Sequence, residues 1–118
     1  LDQQFGFERN QYDRWVHFLY GMLIFPLMKN LVKRRLPYES VLWHLLPLML
    51  ILSHSAFYEI IEWLSVVFFP KELGESYLGA QGDIWDAQKD MALALLGAFV
   101  ASALSVVAYY LRSKLKFK

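Results

Sequence analysis

The stretch MALALLGAFVASALSVVAYYL, residues 91–111, decides the fold class of this chain. It contains no charged residue, and it has no polar stripe with which a surface helix would face water. A helix needs about 20 predominantly apolar residues to cross a bilayer core ~30 Å thick. Residues 91–111 therefore predict a transmembrane helix. The small residues that predict close approach to a neighbouring helix are Ala94, Gly97, Ala98, Ala101 and Ala103.

Two further apolar stretches precede it, at residues 15–32 and 41–66, and the second contains the uninterrupted apolar run 45–52. The chain is 57% hydrophobic and 17% aromatic, and its mean hydropathy of +0.29 is high for a soluble domain of 118 residues. We predict an all-α fold, a polytopic helical membrane bundle with three transmembrane helices at about 15–32, 41–66 and 91–111. A compact soluble helical domain is the alternative, and it does not account for residues 91–111.

The distribution of charge predicts the orientation of this bundle. Basic residues are concentrated at the end of the first helix and after the first and third helices, at Lys29, Lys33, Arg34, Arg35, Arg112, Lys114, Lys116 and Lys118. The other connection, residues 70–89, carries four acids and two lysines. Because short loops rich in Lys and Arg stay in the cytoplasm, we expect the amino end outside and the carboxyl end inside.

The chain as a whole is predicted to be a single transmembrane domain, residues 1–118. It begins at Leu1 and opens without a signal-peptide pattern, so we expect it to be the carboxyl-terminal part of a longer membrane protein. The absence of cysteine excludes disulfides and thiolate metal sites. The lipid bilayer is the expected partner, and no basic run interleaved with stacking aromatics indicates nucleic acid.

Polar residues recur near the predicted outer ends of all three helices. Asp13 and His17 are one helical turn apart, and so are Glu59 and Glu62. Further acids precede the third apolar stretch. Together these residues predict one outward-facing polar site, formed by Asp13, His17, Tyr58, Glu59, Glu62, Gln81, Asp83, Asp86 and Asp90.

Ionised carboxylates in hydrocarbon are costly, so such residues usually face a bundle interior or a water-filled cavity. Hard oxygen ligands with one imidazole suit Mg²⁺, Mn²⁺, Ca²⁺ or Zn²⁺. The candidate metal ligands are Asp13, His17, Glu59, Glu62, Asp83 and Asp86. His17 and Glu59 are also the candidate catalytic residues, moving protons in a metal-assisted enzyme that acts on a lipid or cell-envelope precursor.

Two other interpretations of the same acids stay open. One is a binding, transport or proton-coupled module, although no polar residue continues the path through residues 45–52. The other is a structural network in which Arg9 or Arg14 pairs with the acids and pins the helices together. For Asp90 alone, an ordinary acid at a helix amino terminus is the favoured interpretation.

The remaining histidines, His44 and His54, have no carboxylate at one-turn spacing. We therefore expect them to pack or to form hydrogen bonds.

Three strings carry a resemblance to a known family: RNQYDR at 9–14 with His17 and Phe18, SAFYEIIEW at 55–63, and LGAQGDIWDAQKDM at 78–91. Together they resemble the YjdF-like bacterial inner-membrane proteins, a domain of unknown function. This resemblance implies a multi-pass inner-membrane protein, and about three further hydrophobic helices at the amino end of family members. A looser resemblance, in the order of Asp-x-x-x-His, Tyr-Glu and an Asp-rich helix entry, is to the VanZ-like membrane proteins. Neither resemblance implies a reaction.

Overall fold

The computed structural model describes residues 2–36, 39–69 and 85–116, and these residues form three long α-helices. They are α1 (Asp2–Arg35), α2 (Leu42–Phe68) and α3 (Asp86–Lys116). Each contains a segment long and apolar enough to cross a membrane, namely Gln11–Arg35, Leu42–Ser65 and Asp86–Leu115. No strand occurs among the described residues. The prediction of an all-α bundle with three transmembrane helices is confirmed, and its orientation in the membrane stays a prediction.

The helices are longer than the apolar stretches that predicted them. The third helix begins at Asp86 rather than at residue 91, because acidic side chains are favourable in the first turns of a helix. Prolines do not end the first two helices: α1 continues through Pro26 and α2 through Pro47. Inside a membrane bundle, neighbouring helices help to satisfy the backbone group that a proline frees.

The first and third helices come into close backbone contact at two glycines. A Cβ atom on Gly21 would overlap the backbone carbonyl of Ala94, and one on Gly97 would overlap that of Phe18. Small residues let membrane helices approach in this way and gain dispersion contacts between backbones. The predicted role of Gly97 is therefore confirmed, whereas Ala103 is exposed and does not contribute to this contact.

The hydrophobic core is small and lies along the same crossing. It consists of Phe25, Ile51, Ala94, Ala98 and Ala101. Large apolar side chains such as Leu23, Met49, Phe57 and Leu104 are instead exposed on the outside of the bundle. A bilayer solvates such side chains as well as a protein interior does, so this arrangement fits a membrane-embedded domain.

The first and third helices are parallel, and the second helix is antiparallel to both of them. Asp13, Glu59 and Asp90 meet at one end, which we call the acidic end. Lys29, His44 and Ser105 meet around a cavity at the other end, which we call the basic end. Each end therefore receives side chains from all three helices.

Candidate functional site

The centre of the acidic end is the imidazole of His17, which is only 6% exposed. Its Nδ1 atom lies 3.3 Å from the Ser55 hydroxyl oxygen on α2. Its Nε2 atom faces two carboxylates, 3.4 Å from Oε1 of Glu59 and 3.9 Å from Oδ1 of Asp13. The Glu59 contact is electrostatic, because Oε1 makes no hydrogen bond with the ring. The two ring nitrogens thus have different surroundings, one a neutral hydroxyl and the other a pair of acids.

The third helix contributes Asp90 to this cluster. Asp90 is 1% exposed, and neither of its carboxylate oxygens has a hydrogen-bond partner in the described part of the chain. One ligand atom each from Asp13, His17 and Asp90 can be chosen so that all three lie within 4.8 Å of one another. A buried carboxylate normally accepts several hydrogen bonds, so an Asp90 without any is an unusual feature that calls for an explanation.

The spacing of these three atoms can be compared with the geometry of known metal sites. Two ligand atoms on one ion are at most about 3.3–3.6 Å apart around tetrahedral Zn²⁺, with bonds of about 2.0–2.2 Å, and at most about 4–4.2 Å apart around octahedral Mg²⁺. For Ca²⁺, with bonds of about 2.3–2.6 Å, the limit is about 5 Å. The donor set of two carboxylates and one imidazole suits zinc better than calcium, which takes six to eight oxygen ligands. From the 4.8 Å limit, binding of zinc or magnesium would draw the three ligand atoms closer by about 1 Å.

A second set of polar contacts surrounds this cluster. Asp86 is buried one turn before Asp90, and Arg14 lies 3.7 Å from its carboxylate. The Tyr58 ring packs edge-on against the His17 imidazole at 5.7 Å between centroids, and its hydroxyl donates a hydrogen bond to Glu62. These residues pack around the central group and hold it between the helices.

The predicted site residues can now be placed. His17, Asp13, Glu59 and Asp90 come together, while Asp86 lies with Arg14 and Glu62 with Tyr58. Gln81 and Asp83 lie outside the described residues. Neither oxygen of Asp90 accepts a hydrogen bond from the residues that the structure describes, so no capping contact of Asp90 is found among them.

Sequence reasoning missed one neighbouring pair. The Tyr20 hydroxyl and Nδ1 of His54 are 2.6 Å apart, and the two rings stack at 5.4 Å between centroids. Both line a cavity of about 160 Å³ between α1 and α2, together with Asp13, His17, Ser55 and Tyr58. The available signal was the three-residue spacing of His17 and Tyr20, which places them on one face of α1. The expectation that His54 and His44 form hydrogen bonds is confirmed, since His44 lies 2.6 Å from the Ser102 hydroxyl.

Comparisons with known proteins agree with this architecture. The sequence profile of the family described as "Predicted membrane protein (DUF2238)" matches residues 1–112. The inner membrane protein YjdF of Escherichia coli strain K12 is 33% identical over 99 residues, which cover 83% of this chain and 47% of that relative. The chain thus spans about half the length of the curated relative that it matches. No solved structure matches it significantly.

These findings confirm the resemblance to the YjdF-like proteins and the prediction of a multi-pass protein of the bacterial inner membrane. The resemblance to the VanZ-like proteins stays a prediction. By its family profile and its relative in Escherichia coli, the chain belongs to the YjdF-like family of predicted inner-membrane proteins.

Proposed function

We propose that the acidic end is a divalent-cation site, with Asp13, His17 and Asp90 as ligands, in a membrane-embedded enzyme that acts on a lipid or cell-envelope precursor. The observation that carries this proposal is Asp90, a buried carboxylate whose two oxygens have no hydrogen-bond partner in the described part of the chain. A carboxylate removed from water costs several kcal/mol unless an opposite charge or hydrogen bonds compensate it. A cation held next to His17 would supply that compensation.

The balance of charge around the site supports a bound cation. Four carboxyl groups, those of Asp13, Glu59, Asp86 and Asp90, gather there around one imidazole and the guanidinium of Arg14. Arg14 lies on the Asp86 side of the cluster, 3.7 Å from that carboxylate. Acids this close together cannot all be ionised without further positive charge.

The environment of His17 suits a metal ligand. A ligating histidine usually donates its other ring N–H to a neighbouring group, which fixes the tautomer and the orientation of the ring. In the tautomer that leaves Nε2 free to bind a cation, the Nδ1–H of His17 donates to Ser55. Nε2 then points toward Asp13 and Glu59, on the side where the cation would lie.

Glu59 is the residue we assign to proton transfer. It contacts the same edge of the His17 ring, yet it is not one of the three residues whose ligand atoms converge. Three protein ligands leave coordination positions for substrate, as in catalytic metal sites. A cation there would supply Lewis acidity, and the Glu59 carboxylate would accept a proton from a nucleophile.

The surroundings of the site support an amphipathic substrate. The cavity of about 160 Å³ is large enough for a small polar group, and it reaches from Asp13 and His17 to Val16 and Tyr20. The neighbouring surfaces of α1 and α2 expose large apolar side chains, such as Leu19 and Phe57. A lipid can place its polar group in this cavity while its chains stay against the helices.

Metal analysis of the full chain purified in detergent tests the site. We expect a divalent cation to copurify with the wild type and with Glu39→Gln, a matched loss of one carboxylate at the basic end. Asp13→Asn and Asp90→Asn should lose it. Equal metal content in all four proteins, with none of them above the buffer blank, would rule out the proposed ligands.

A second experiment tests catalysis separately. Purified protein is incubated with bacterial lipid extract, and cation-dependent products are identified by mass spectrometry. We expect Glu59→Gln to retain the metal and to lose product formation. If wild type holds the metal but yields no cation-dependent product from envelope lipids, the site binds without chemistry.

The ion pair between Arg14 and Asp86 favours one alternative, a polar network that only joins the helices. In that case Asp86→Asn should destabilise the protein while chelators have no effect. Under the metal proposal, removal of the cation by a chelator lowers the stability of the wild type itself.

A further inference from the structure

The basic end contains a second polar cavity, and the proposed function does not use it. It has a volume of about 650 Å³ and is lined by side chains of all three helices. Its described lining residues include three cations, Lys29, Lys33 and Arg112, and one acid, Glu39. The net positive charge and the size of this cavity indicate an anionic ligand larger than a water molecule.

Lys29 is held in place at the wall of this cavity. Its ammonium group donates a hydrogen bond to the Ser105 hydroxyl at 2.8 Å, and Ser105 donates in turn to the Ser102 carbonyl at 2.8 Å. The Ser102 hydroxyl lies 2.6 Å from Nδ1 of His44, which also lines the cavity. An ammonium has three donors. Among the described residues Ser105 takes one of them on Lys29, which leaves two N–H groups for an anion.

Lys33 is positioned by a second set of contacts. Its ammonium lies over the Trp43 ring, 4.4 Å from the centroid, in a cation–π interaction. Trp43 itself is fixed by a hydrogen bond of 2.7 Å from its indole N–H to the Leu36 carbonyl, which ties the start of α2 to the end of α1. The second cation of the cavity is therefore also held before any ligand arrives, which reduces the entropy lost on binding.

We propose that this cavity binds a phosphate oxyanion, and that its source is the head group of an anionic phospholipid. Lys29, Lys33 and Arg112 approach from α1 and α3, so a phosphate between them would receive N–H donors from two helices. This site is independent of the cation site, which lies at the opposite end of the bundle.

The position of the cavity favours a lipid over free phosphate. The cavity lies at the end of three membrane-spanning segments, where head groups are found, and Tyr109 and Tyr110 line it as well. Tyrosines are typical of the interface between head groups and acyl chains. The outer faces of α1 and α3 next to it expose Leu31, Val107 and Leu111, against which acyl chains can pack.

The test compares two variants with the same loss of charge. Lys29→Gln/Lys33→Gln/Arg112→Gln removes the cations of the cavity. Arg34→Gln/Arg35→Gln/Lys114→Gln removes three exposed cations at the same end that do not line it. Native mass spectrometry of the full chain, titrated with phosphatidylglycerol, phosphatidylcholine or inorganic phosphate, measures the affinity of each ligand. A single variant, Lys33→Gln against Arg34→Gln, repeats the comparison at exposed positions where folding is not at risk.

We expect the cavity variant to bind phosphatidylglycerol at least about tenfold more weakly than the wild type, and the control variant to change little. Phosphatidylcholine should bind weakly to all three proteins. Equal losses in both variants would show attraction by the general charge of the surface and overturn the site. Displacement of phosphatidylglycerol by millimolar inorganic phosphate would keep the oxyanion site and overturn its assignment to lipid.

Discussion

The hydroxyl of Ser55 lies 3.3 Å from Nδ1 of His17, on the edge of the ring opposite to the one that faces Asp13 and Glu59. Both residues are buried, so water does not substitute for either partner. This contact between α1 and α2 therefore fixes the direction of the imidazole, and Ser55 can accept a hydrogen bond from Nδ1–H when Nε2 binds a cation.

Replacing Ser55 by Ala should weaken cation binding without removing a ligand. Loss of a group that orients a metal ligand typically costs about 10–100-fold in affinity, and we expect that range for Ser55→Ala. Ser53→Ala, an exposed hydroxyl two residues earlier on α2, is the matched control. Competition with a fluorescent chelator measures both affinities, and equal values for the two variants would contradict the role given to Ser55.

The stability of the fold should depend on the cation through Asp90. A ligand that binds only the folded state stabilises it by about 2.7 kcal/mol at a concentration of 100 times its Kd. We expect a chelator to lower the melting temperature of the wild type and of Glu39→Gln, and to leave that of Asp90→Asn unchanged. Thermal unfolding of each protein in detergent, with and without the chelator, measures the melting temperatures. A chelator that lowers the melting temperature of Asp90→Asn would argue against ligation by this residue.

Substituting Ala for Gly97 should destabilise the bundle. In an isolated helix this change is favourable by about 1 kcal/mol, because Ala has the higher helix propensity. Here the new methyl group would overlap the Phe18 carbonyl, and overpacking costs about 1–3 kcal/mol. Unfolding in mixed micelles measures the sign, with Ala103→Val on the exposed side of α3 as control. A stabilised Gly97→Ala protein would mean that the two helices do not touch at this point.

Removing the Tyr20 hydroxyl should lower the free energy of unfolding by a small amount. Hydrogen bonds between membrane helices average about 0.6 kcal/mol and reach about 1.7 kcal/mol. We expect Tyr20→Phe to lower the free energy of unfolding within that range, because it loses the 2.6 Å contact with His54. Tyr109→Phe, at an exposed ring on α3, should change it by less. A larger loss of unfolding free energy in Tyr109→Phe than in Tyr20→Phe would contradict the stabilising role given to the Tyr20 hydroxyl.

Hydropathy predicted the three helices well, because the length of an apolar run is a local property of the sequence. Hydropathy predicted the ends of these helices less well. The helix that carries residues 91–111 extends from Asp86 to Lys116, since polar residues at the membrane surface continue a helix without any cost in hydrocarbon.

The candidate site could be predicted only in part. The pairing of Asp13 with His17 follows from one-turn spacing, but their proximity to Asp90 depends on how α3 is rotated against α1. The interpretation of Asp90 as a cap also depended on where α3 begins. Because the helix starts at Asp86, Asp90 is its fifth residue, and only the first four amides of a helix need capping.

The crossing of Gly21 and Gly97 has a consequence for how the acidic end is assembled. His17 lies one turn before Gly21 on α1, and Asp90 lies two turns before Gly97 on α3. Rotation of either helix by one residue turns its side chains by about 100° and would carry His17 or Asp90 away from the other. Gly21 packs against the backbone of Ala94, and Gly97 against that of Phe18. These two contacts oppose such slippage, so they set the register in which His17 and Asp90 meet at the acidic end.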